Sequence, residues 1–208
     1  PPSDIYTYNF AADSLTQLTS GEYDNVQPVW SPDGSKIAYF SQGENHHLTI
    51  MDVATQQVTT IPDDAVAEES LGNYYIWDFD WAPSGDQLVM SVRILGPEGF
   101  GSLYTVSVDG TTVDRILPDG VDAAMPKWGS NVNEIYVLCQ GPAICRYNLP
   151  DQTIQQLTSL HQQFPDTGVE SFDVSPQGDI ILGLRSSYPF VYSIVTVDPT
   201  SGEMSVLH

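Results

Sequence analysis

Carboxylates are the side chains of this sequence whose spacing comes closest to a chemical site. Asp78 and Asp80 lie two residues apart, so on a strand both would point to the same side. Such a pair could contribute to a Ca²⁺ site, but calcium takes about six to eight oxygen ligands. The chain has no EF-hand pattern and no glycine-rich nonapeptide repeat. We therefore expect no cofactor and keep Asp78 and Asp80 as weak Ca²⁺ candidates, with hydrogen bonds to the backbone of a neighbouring blade as their alternative role.

Motifs of covalent catalysis are absent from the sequence. It contains no G-x-S-x-G turn for a serine nucleophile, no H-E-x-x-H metal helix and no glycine-rich phosphate loop. Paired carboxylates are frequent, but among 27 acidic residues such pairs do not single out an acid–base site. We therefore predict that the chain is not an enzyme.

The two cysteines, Cys139 and Cys145, bracket a turn-like segment, residues 140–144. On facing strands of a hairpin their Cα atoms could come within the roughly 4.4–6.8 Å that a disulfide requires. A disulfide would indicate an oxidising compartment, whereas a pair of small apolar thiols in the core is the alternative. Free-thiol titration of the unfolded, unreduced protein distinguishes the two.

The net charge is −21, from 27 acidic and 6 basic residues. A field of this sign repels phosphate backbones and anionic membrane surfaces, and it suits a partner with a basic surface. We therefore expect no nucleic-acid binding. Because the sequence has no run of 18 apolar residues, we also expect no membrane insertion. Solubility alone and salt adaptation also account for the acidity, and the sequence does not separate these explanations.

Two segment types alternate along the chain. The first, which we call the outer hairpin, recurs five times as two short apolar runs around a polar turn, the pattern of a β-hairpin. Its copies are IYTYNFAADSLTQLT from Ile5, LTIMDVATQQVTTIP from Leu48, LYTVSVDGTTVDRIL from Leu103, ICRYNLPDQTIQQLT from Ile144 and IVTVDPTSGEMSVLH from Ile194.

The second type, which we call the inner hairpin, recurs four times. Its copies are WSPDGSKIAYFS from Trp30, WAPSGDQLVMSV from Trp81, WGSNVNEIYVLC from Trp128 and VSPQGDIILGLR from Val174. In the Pro-Asp-Gly turn, proline presets φ, aspartate can bond the local backbone, and glycine can take positive φ before the next strand. That strand is predicted to begin at Ile37, Leu88, Ile135 and Ile181.

Strict alternation of the two hairpins predicts a β-propeller. Successive inner hairpins begin 51, 47 and 46 residues apart, and four strands in such a length make one blade. A β-sandwich would not repeat the same pair of hairpins in a fixed order. We predict one all-β domain over residues 1–208, with an N-terminal outer hairpin in 1–19 and four complete four-stranded blades in 20–62, 63–117, 118–158 and 159–208.

The run QPVWSPDGSKIAYFS, followed by LTIMDV, resembles the WD40-like repeat of TolB-like β-propellers. The resemblance covers essentially the whole chain, although the third copy of the motif is weak. It implies that the strand bearing the tryptophan lies nearest the central axis and that the other three strands follow outward. It implies an architecture rather than a single function.

The N-terminal outer hairpin has no inner hairpin of its own in the sequence. An isolated two-stranded ribbon is marginally stable, and an open blade face leaves apolar surface exposed. We therefore hypothesise that the chain is part of a larger propeller, or that another chain, such as a second copy in a homo-oligomer, completes it.

The loops that lead into the inner strands should open on one rim, because they occupy the same place in each repeat. They cover residues 21–27, 63–76, 118–125 and 161–171 and are acidic. The second loop, taken on through Trp77 and Asp78, carries Tyr and Trp beside carboxylates, a composition suited to protein contacts. Packing between blades is the alternative role, above all for Trp77. The candidate binding residues on this rim are Asp24, Tyr74, Tyr75, Trp77, Asp78, Asp122, Asp166 and Glu170.

The sequence therefore predicts a non-catalytic protein-interaction scaffold. The resemblance and the cysteine pair imply an extracytoplasmic location, periplasmic or secreted. The alternatives are an accessory or gating propeller of a larger enzyme, such as a prolyl-oligopeptidase-like serine peptidase, and a propeller that binds a small ligand or sugar. Alanine at Tyr74 or Tyr75 is expected to weaken partner binding without lowering the melting temperature.

Overall fold

The fold is nearly all β. The computed structural model describes residues 2–43, 46–61, 66, 74–94, 101–118, 120–139, 143–187 and 190–207, apart from the side chains of His46, Tyr74 and Ile94. Within these ranges the chain forms antiparallel sheets and one short helix, α1 (Leu160–Gln163). The described residues include no helix that is long and apolar enough to cross a membrane.

The strands assemble into one two-stranded and four four-stranded sheets, in which neighbours pair in chain order. The two-stranded sheet pairs β1 (Tyr6–Asn9) with β2 (Ser14–Gln17). The first two blades contain β3 (Asp24–Trp30), β4 (Lys36–Gln42), β5 (His46–Asp52) and β6 (Val58–Thr60), then β7 (Tyr74–Trp81), β8 (Gln87–Ile94), β9 (Gly101–Ser107) and β10 (Val113–Arg115). The last two contain β11 (Ala123–Trp128), β12 (Glu134–Cys139), β13 (Ala143–Asn148) and β14 (Thr153–Gln156), then β15 (Thr167–Val174), β16 (Ile180–Ser186), β17 (Tyr192–Val197) and β18 (Met204–Leu207). The predicted architecture of four blades and an N-terminal outer hairpin is confirmed.

Side chains of the inner hairpin hold its turn. In the first blade the Asp33 carboxylate accepts the Ser31 hydroxyl at 2.7 Å and the Ser35 amide at 3.0 Å, and Gly34 takes a φ of +70°. These donors favour the ionised carboxylate and lower the pKa of Asp33 to about 2. The turn therefore forms from local interactions, as its sequence indicates.

One predicted alignment is wrong by a residue. The fourth inner hairpin has a shorter turn, so Val174 pairs with Ile180 where Trp30 pairs with Ile37. Successive residues of a strand point to opposite faces, so this difference moves Ile181 to the other face of the blade. Ile180 is buried against the third blade and Ile181 is exposed.

The core lies between consecutive blades. One apolar cluster joins the β1–β2 hairpin to the first blade, and three others each join one complete blade to the next. Trp81 of the second blade packs in the cluster shared with the first blade, and its Nε1 donates to the Val29 carbonyl there at 3.1 Å. Each blade therefore covers the apolar flank of its neighbour.

Burial follows the presence of a neighbouring blade. At the first position of the outer hairpin, the copies followed by another blade are at most 5% exposed: Ile5, Leu48, Leu103 and Ile144. Ile194, in the fourth blade, is 54% exposed. The tryptophan at the end of an inner strand faces the preceding blade, and its burial also depends on that blade. Trp81, which packs against the complete first blade, is 5% exposed, whereas Trp30, which follows the β1–β2 hairpin, is 49% exposed. Packing between blades therefore decides which of these side chains is buried.

Every inner strand carries a β-bulge, where its register with the second strand slips. The slips lie between Val26 and Val29, Ile76 and Asp78, Ala124 and Lys127, and Val169 and Ser171. The predicted loops are therefore too long, and Tyr74, Tyr75 and Trp77 belong to strand β7 rather than to a loop. A bulge breaks the alternation of apolar and polar residues, and Pro28 and Pro126 within two of the bulges resemble loop residues in sequence.

Cys139 on β12 and Cys145 on β13 form a disulfide in this structure, with their Cα atoms 6.0 Å apart. Their strands are already paired by backbone hydrogen bonds. The bridge therefore reinforces a local hairpin of the third blade rather than joining distant parts of the chain.

Candidate functional site

A cavity of about 510 Å³ opens between the first three blades. Its volume falls within the range of about 300–1,000 Å³ that is typical of ligand pockets. All three blades contribute through their innermost strands, so the cavity faces the central axis of the propeller. The lining residues are Val26, Gln27, Phe40, Gln42, Tyr75, Ile76, Trp77, Asp78 and Met125.

The bulges of the inner strands bring side chains into this cavity. Gln27 and Met125 lie in bulges and have positive φ angles of +53° and +52°, and Trp77 is the extra residue of the bulge in β7. A bulge bends its strand and re-aims a side chain. Positive φ is uncommon in residues other than glycine and is concentrated at functional sites. A β-bulge in the inner strand thus recurs in all three blades that line the cavity.

Trp77 gives the cavity an exposed aromatic surface. It is 47% exposed, its ring centroid lies 5.6 Å from that of Tyr75, and the Arg93 guanidinium lies 5.9 Å from its ring centroid. Trp77 also lines a cleft of about 140 Å³ between the second and third blades, together with Arg93 and Asp122. An exposed tryptophan beside a second aromatic ring is suited to stack on an apolar or planar group of a partner.

Asp78 and Asp80 differ in their surroundings. Asp80 accepts the Trp128 amide of the third blade at 2.7 Å, and burial raises its pKa to about 6 although nearby Lys127 acts in the opposite direction. Asp78 lines the cavity, accepts the Phe79 amide at 2.8 Å, and also has a pKa raised by burial. Asp80 therefore links two blades, whereas Asp78 presents a carboxylate to the cavity.

These two carboxylates are not part of a larger ligand set. Across the described ranges, no group of three or more His, Cys, Asp or Glu side chains is placed to hold a metal ion. The bond from the Trp128 amide to Asp80 is of the kind that the sequence suggested as the alternative to Ca²⁺ binding. The expectation of no cofactor, with Asp78 and Asp80 as weak Ca²⁺ candidates, stays a prediction.

Asp24 and Asp122 link neighbouring blades at equivalent positions. Asp122 accepts the Gly101 amide at 2.6 Å, and Asp24 accepts the Ser3 amide, which lowers the pKa of Asp24. Each bond joins the beginning of an inner strand to the backbone at or just before the third strand of the preceding blade. These carboxylates therefore have a structural role in addition to any role in binding.

Asp166 and Glu170 lie in the fourth blade and do not line the cavity. Glu170 is the bulge residue of β15 and pairs with Arg185 at 2.5 Å. The Asp166 side chain is exposed, and its carbonyl accepts the Ser187 amide at 2.8 Å. Neither residue is brought to the aromatic pair of the second blade.

The structure therefore gathers three of the predicted binding residues, Tyr75, Trp77 and Asp78, in one cavity. The Tyr74 side chain lies outside the described residues. Sequence reasoning missed four residues at or beside the site: Gln27, Gln42, Arg93 and Met125. Gln27 and Met125 each precede a proline, which is a signal in the sequence for irregular backbone. Gln42 and Arg93 carry no such signal, because they reach the site only through the pairing of a second strand with its inner strand.

Comparison with known proteins gives both a sequence relative and shared folds. No protein-family model matches the chain. A protein TolB homolog from Chlorobaculum tepidum is 28% identical over 119 residues, which are 56% of this chain and 24% of that protein. The crystal structure of TolB from Acinetobacter baumannii superposes with a TM-score of 0.70 at 19% identity, over 97% of this chain and 48% of that chain. A puromycin-hydrolyzing peptidase from Mycobacterium tuberculosis superposes with a TM-score of 0.68 at 14% identity, over 93% of this chain and 30% of that chain.

The matched residues thus span about a quarter of the TolB homolog, and the superposed chain covers about half of the TolB structure. Structural likeness at these identities shows the fold, and the peptidase shares it as well as TolB does. The match to a TolB homolog adds a likeness in sequence over 56% of this chain. The chain is therefore a β-propeller that is similar to TolB proteins in sequence and in fold.

Proposed function

We propose that the chain is a non-catalytic interaction propeller that binds a protein segment in the cavity lined by Tyr75, Trp77 and Asp78. The observation that carries this proposal is the bulge in β7, which leaves Trp77 47% exposed at the cavity while Trp81, four residues later, is buried between blades. A half-exposed tryptophan with a second aromatic ring in a concave site is typical of contact residues that dominate binding energy.

The lining of the cavity defines the class of partner. Asp78 supplies a carboxylate, Gln27 and Gln42 supply amides, and the whole chain carries a net charge of −21. These groups favour a segment with an apolar or aromatic side chain for the Tyr75–Trp77 surface and a Lys or Arg side chain for Asp78. The acidic field would speed the encounter, and binding should weaken as salt increases.

The proposal includes an extracytoplasmic location, periplasmic or secreted. Two observations support it: the sequence match to a TolB homolog and the disulfide between Cys139 and Cys145. Titration of free thiols in protein purified from the native compartment tests this part of the proposal. Two reactive thiols in the unreduced protein would contradict it.

A binding experiment with matched tryptophan variants tests the proposed site. Trp77→Ala and Trp30→Ala each remove a half-exposed indole, but Trp30 does not line the cavity. A partner captured by the immobilised wild-type chain and then purified should bind Trp77→Ala and Tyr75→Ala about tenfold or more weakly, a loss of about 1.4 kcal/mol or more. It should bind Trp30→Ala as tightly as the wild type.

The melting temperatures of the same variants complete this test. The proposal expects the Trp77→Ala and Tyr75→Ala proteins to melt close to the wild type, because both side chains contact the cavity rather than fill the core. Equal binding by all the variants contradicts the proposed site. A loss of melting temperature as large as that of a core truncation assigns these side chains to packing instead.

Two other functions have a specific observation in their favour. An accessory propeller of a larger enzyme is favoured by the fold shared with part of the M. tuberculosis peptidase, and a G-x-S-x-G hydrolase encoded in the same reading frame would support it. A small ligand or sugar is favoured by the cavity volume of about 510 Å³. A rise in melting temperature with a saccharide, abolished in Trp77→Ala, would support that function.

A further inference from the structure

The small cleft between the second and third blades combines a cation with apolar walls. Its volume is about 140 Å³, and we call it the Arg93 cleft. Trp77, Ala123 and Ala124 supply apolar lining, and Asp122 lies in it as well. An engineered apolar cavity of about 150 Å³ holds one benzene molecule, so this cleft has room for one side chain of that size.

Gly101 lets the two blades approach each other closely beside this cleft. A Cβ atom at this position would lie 2.5 Å from the Ala123 carbonyl oxygen and 3.1 Å from Asp122 Oδ1, so a larger residue would require β11 to shift. The Gly101 amide donates to the Asp122 carboxylate at 2.6 Å across the boundary between the blades. The cleft is therefore shaped by packed backbone and by a bonded side chain, and it is formed before a ligand arrives.

Arg93 provides the cation of the cleft and has no ionic partner there. Its guanidinium lies 5.9 Å from the Trp77 ring centroid. Arg146 and Arg185 each pair with a glutamate, but among the residues that the structure describes no carboxylate lies within ion-pair distance of Arg93. A planar guanidinium placed against an aromatic ring can still offer its N–H groups to a carboxylate in a bidentate contact.

We infer that the Arg93 cleft binds the C-terminal residue of a peptide, with the α-carboxylate on Arg93 and an apolar side chain against Trp77. A C-terminal residue carries both groups on one carbon atom, as the neighbouring cation and apolar walls require. An internal Asp or Glu carries its charge at the end of a polar side chain and would leave the apolar walls unfilled. Capture of a C-terminal carboxylate is a recurring mode of peptide recognition.

This inference does not rest on the partner proposed for the larger cavity, although Trp77 lines both sites. The net charge of −21 repels an anion at long range. At about 0.15 M salt that repulsion is screened beyond about 8 Å, whereas direct contact with Arg93 persists. A preference for a carboxylate over a neutral amide must therefore come from a cation at the binding site.

Three tripeptide probes test the inference. They are acetyl-Gly-Gly-Phe with a free carboxylate, the same peptide with a C-terminal amide, and acetyl-Gly-Gly-Glu amide, whose carboxylate is on the side chain. Titration followed by the NMR signals of the Gly101 amide and the Trp77 indole N–H measures each Kd. The free acid should bind about fivefold more tightly than either amide, which is the upper end for an exposed ion pair.

Matched charge variants locate the cation. Arg93→Gln should bind the free acid and the amide of the Phe peptide equally, because it removes the charge and keeps most of the side-chain stem. Arg146→Gln also removes one positive charge, but Arg146 does not line the cleft, so this variant should keep the fivefold preference. Asp78→Asn, which alters the larger cavity, should keep it too.

Several outcomes would overturn the inference. Equal affinity of the wild type for the free acid and the amide shows that the cleft does not read the carboxylate. A preference that survives Arg93→Gln assigns it to another group. Equal binding of the Glu amide assigns the cleft to internal acidic residues, and a preference lost in Asp78→Asn places the probe in the larger cavity. Failure of the partner experiment proposed for that cavity leaves these measurements unaffected.

Discussion

Asp80→Asn is expected to make the protein more stable at neutral pH, because it removes a buried charge and keeps an acceptor for the Trp128 amide. Burial raises the pKa of Asp80 from 3.8 to about 6, and each tenfold change in proton affinity corresponds to about 1.4 kcal/mol. Ionised Asp80 therefore lowers the free energy of unfolding by about 3 kcal/mol relative to a hydrated carboxylate. The 2.7 Å bond from Trp128 should survive, because the asparagine amide oxygen can take the place of the carboxylate oxygen.

The sign of the pH dependence follows from the direction of this shift. Between pH of about 4 and 6 the native protein holds the proton of Asp80 more tightly than the unfolded chain does, so the contribution of Asp80 to stability falls as the pH rises. The advantage of Asp80→Asn over the wild type should therefore grow by about 2–3 kcal/mol between pH of about 4 and 7. Urea unfolding followed by tryptophan fluorescence at several pH values measures this difference.

Asp33→Asn provides a control of opposite sign. Hydrogen bonds from Ser31 and Ser35 lower the pKa of Asp33 to about 2, so the wild type gains stability from this group as the pH rises toward 4. The Asp33→Asn variant should then lose stability relative to the wild type over that range. Parallel pH profiles for wild type and Asp80→Asn, or a carboxyl titration of Asp80 near 4 by NMR, would refute the reasoning.

Three further predictions concern packing and the covalent link. Trp81→Ala should cost about 3–5 kcal/mol in urea unfolding, whereas Trp30→Ala should cost less than about 1 kcal/mol because its indole is already half exposed; equal costs would contradict the stacking of blades. Reduction of the Cys139–Cys145 disulfide should lower the free energy of unfolding by about 2 kcal/mol, as expected for a short loop, and an unchanged transition would contradict this. Gly202→Ala should lower the melting temperature by several degrees, because Gly202 has a φ of +72° and the new Cβ would lie 2.0 Å from the Leu157 carbonyl oxygen of the third blade. An unchanged melting temperature would refute this close packing of the fourth blade on the third.

Much of this architecture could be predicted from the sequence because its turns are local. The outer hairpins and the inner turns are specified by residues next to one another in the chain, such as Asp33 and Gly34, and their repetition specified the propeller. The predicted alignment failed at Ile181 for the same local reason, since one residue fewer in the turn reverses the face of every later side chain.

The candidate site was harder to predict because it depends on irregular backbone and on contacts between blades. Trp77 was assigned to a loop, since a bulge removes the alternation from which a strand is inferred. The sequence predicts Asp24 and Asp122 as binding residues of the rim loops, and nothing near them in the sequence indicates that they accept backbone amides from the preceding hairpin or blade. Gln42 reaches the cavity only because three blades meet there.

Contacts across the blade interfaces test the central claim, that inner and outer hairpins stack side by side around an axis, most directly. In NMR spectra of the protein, the Trp81 indole N–H should show nuclear Overhauser effects to Val29 and its neighbours in the first blade. The Trp128 amide should show them to Asp80 in the second blade. Effects confined to the blade of each tryptophan, or effects that join the first and fourth sheets face to face, would contradict the account.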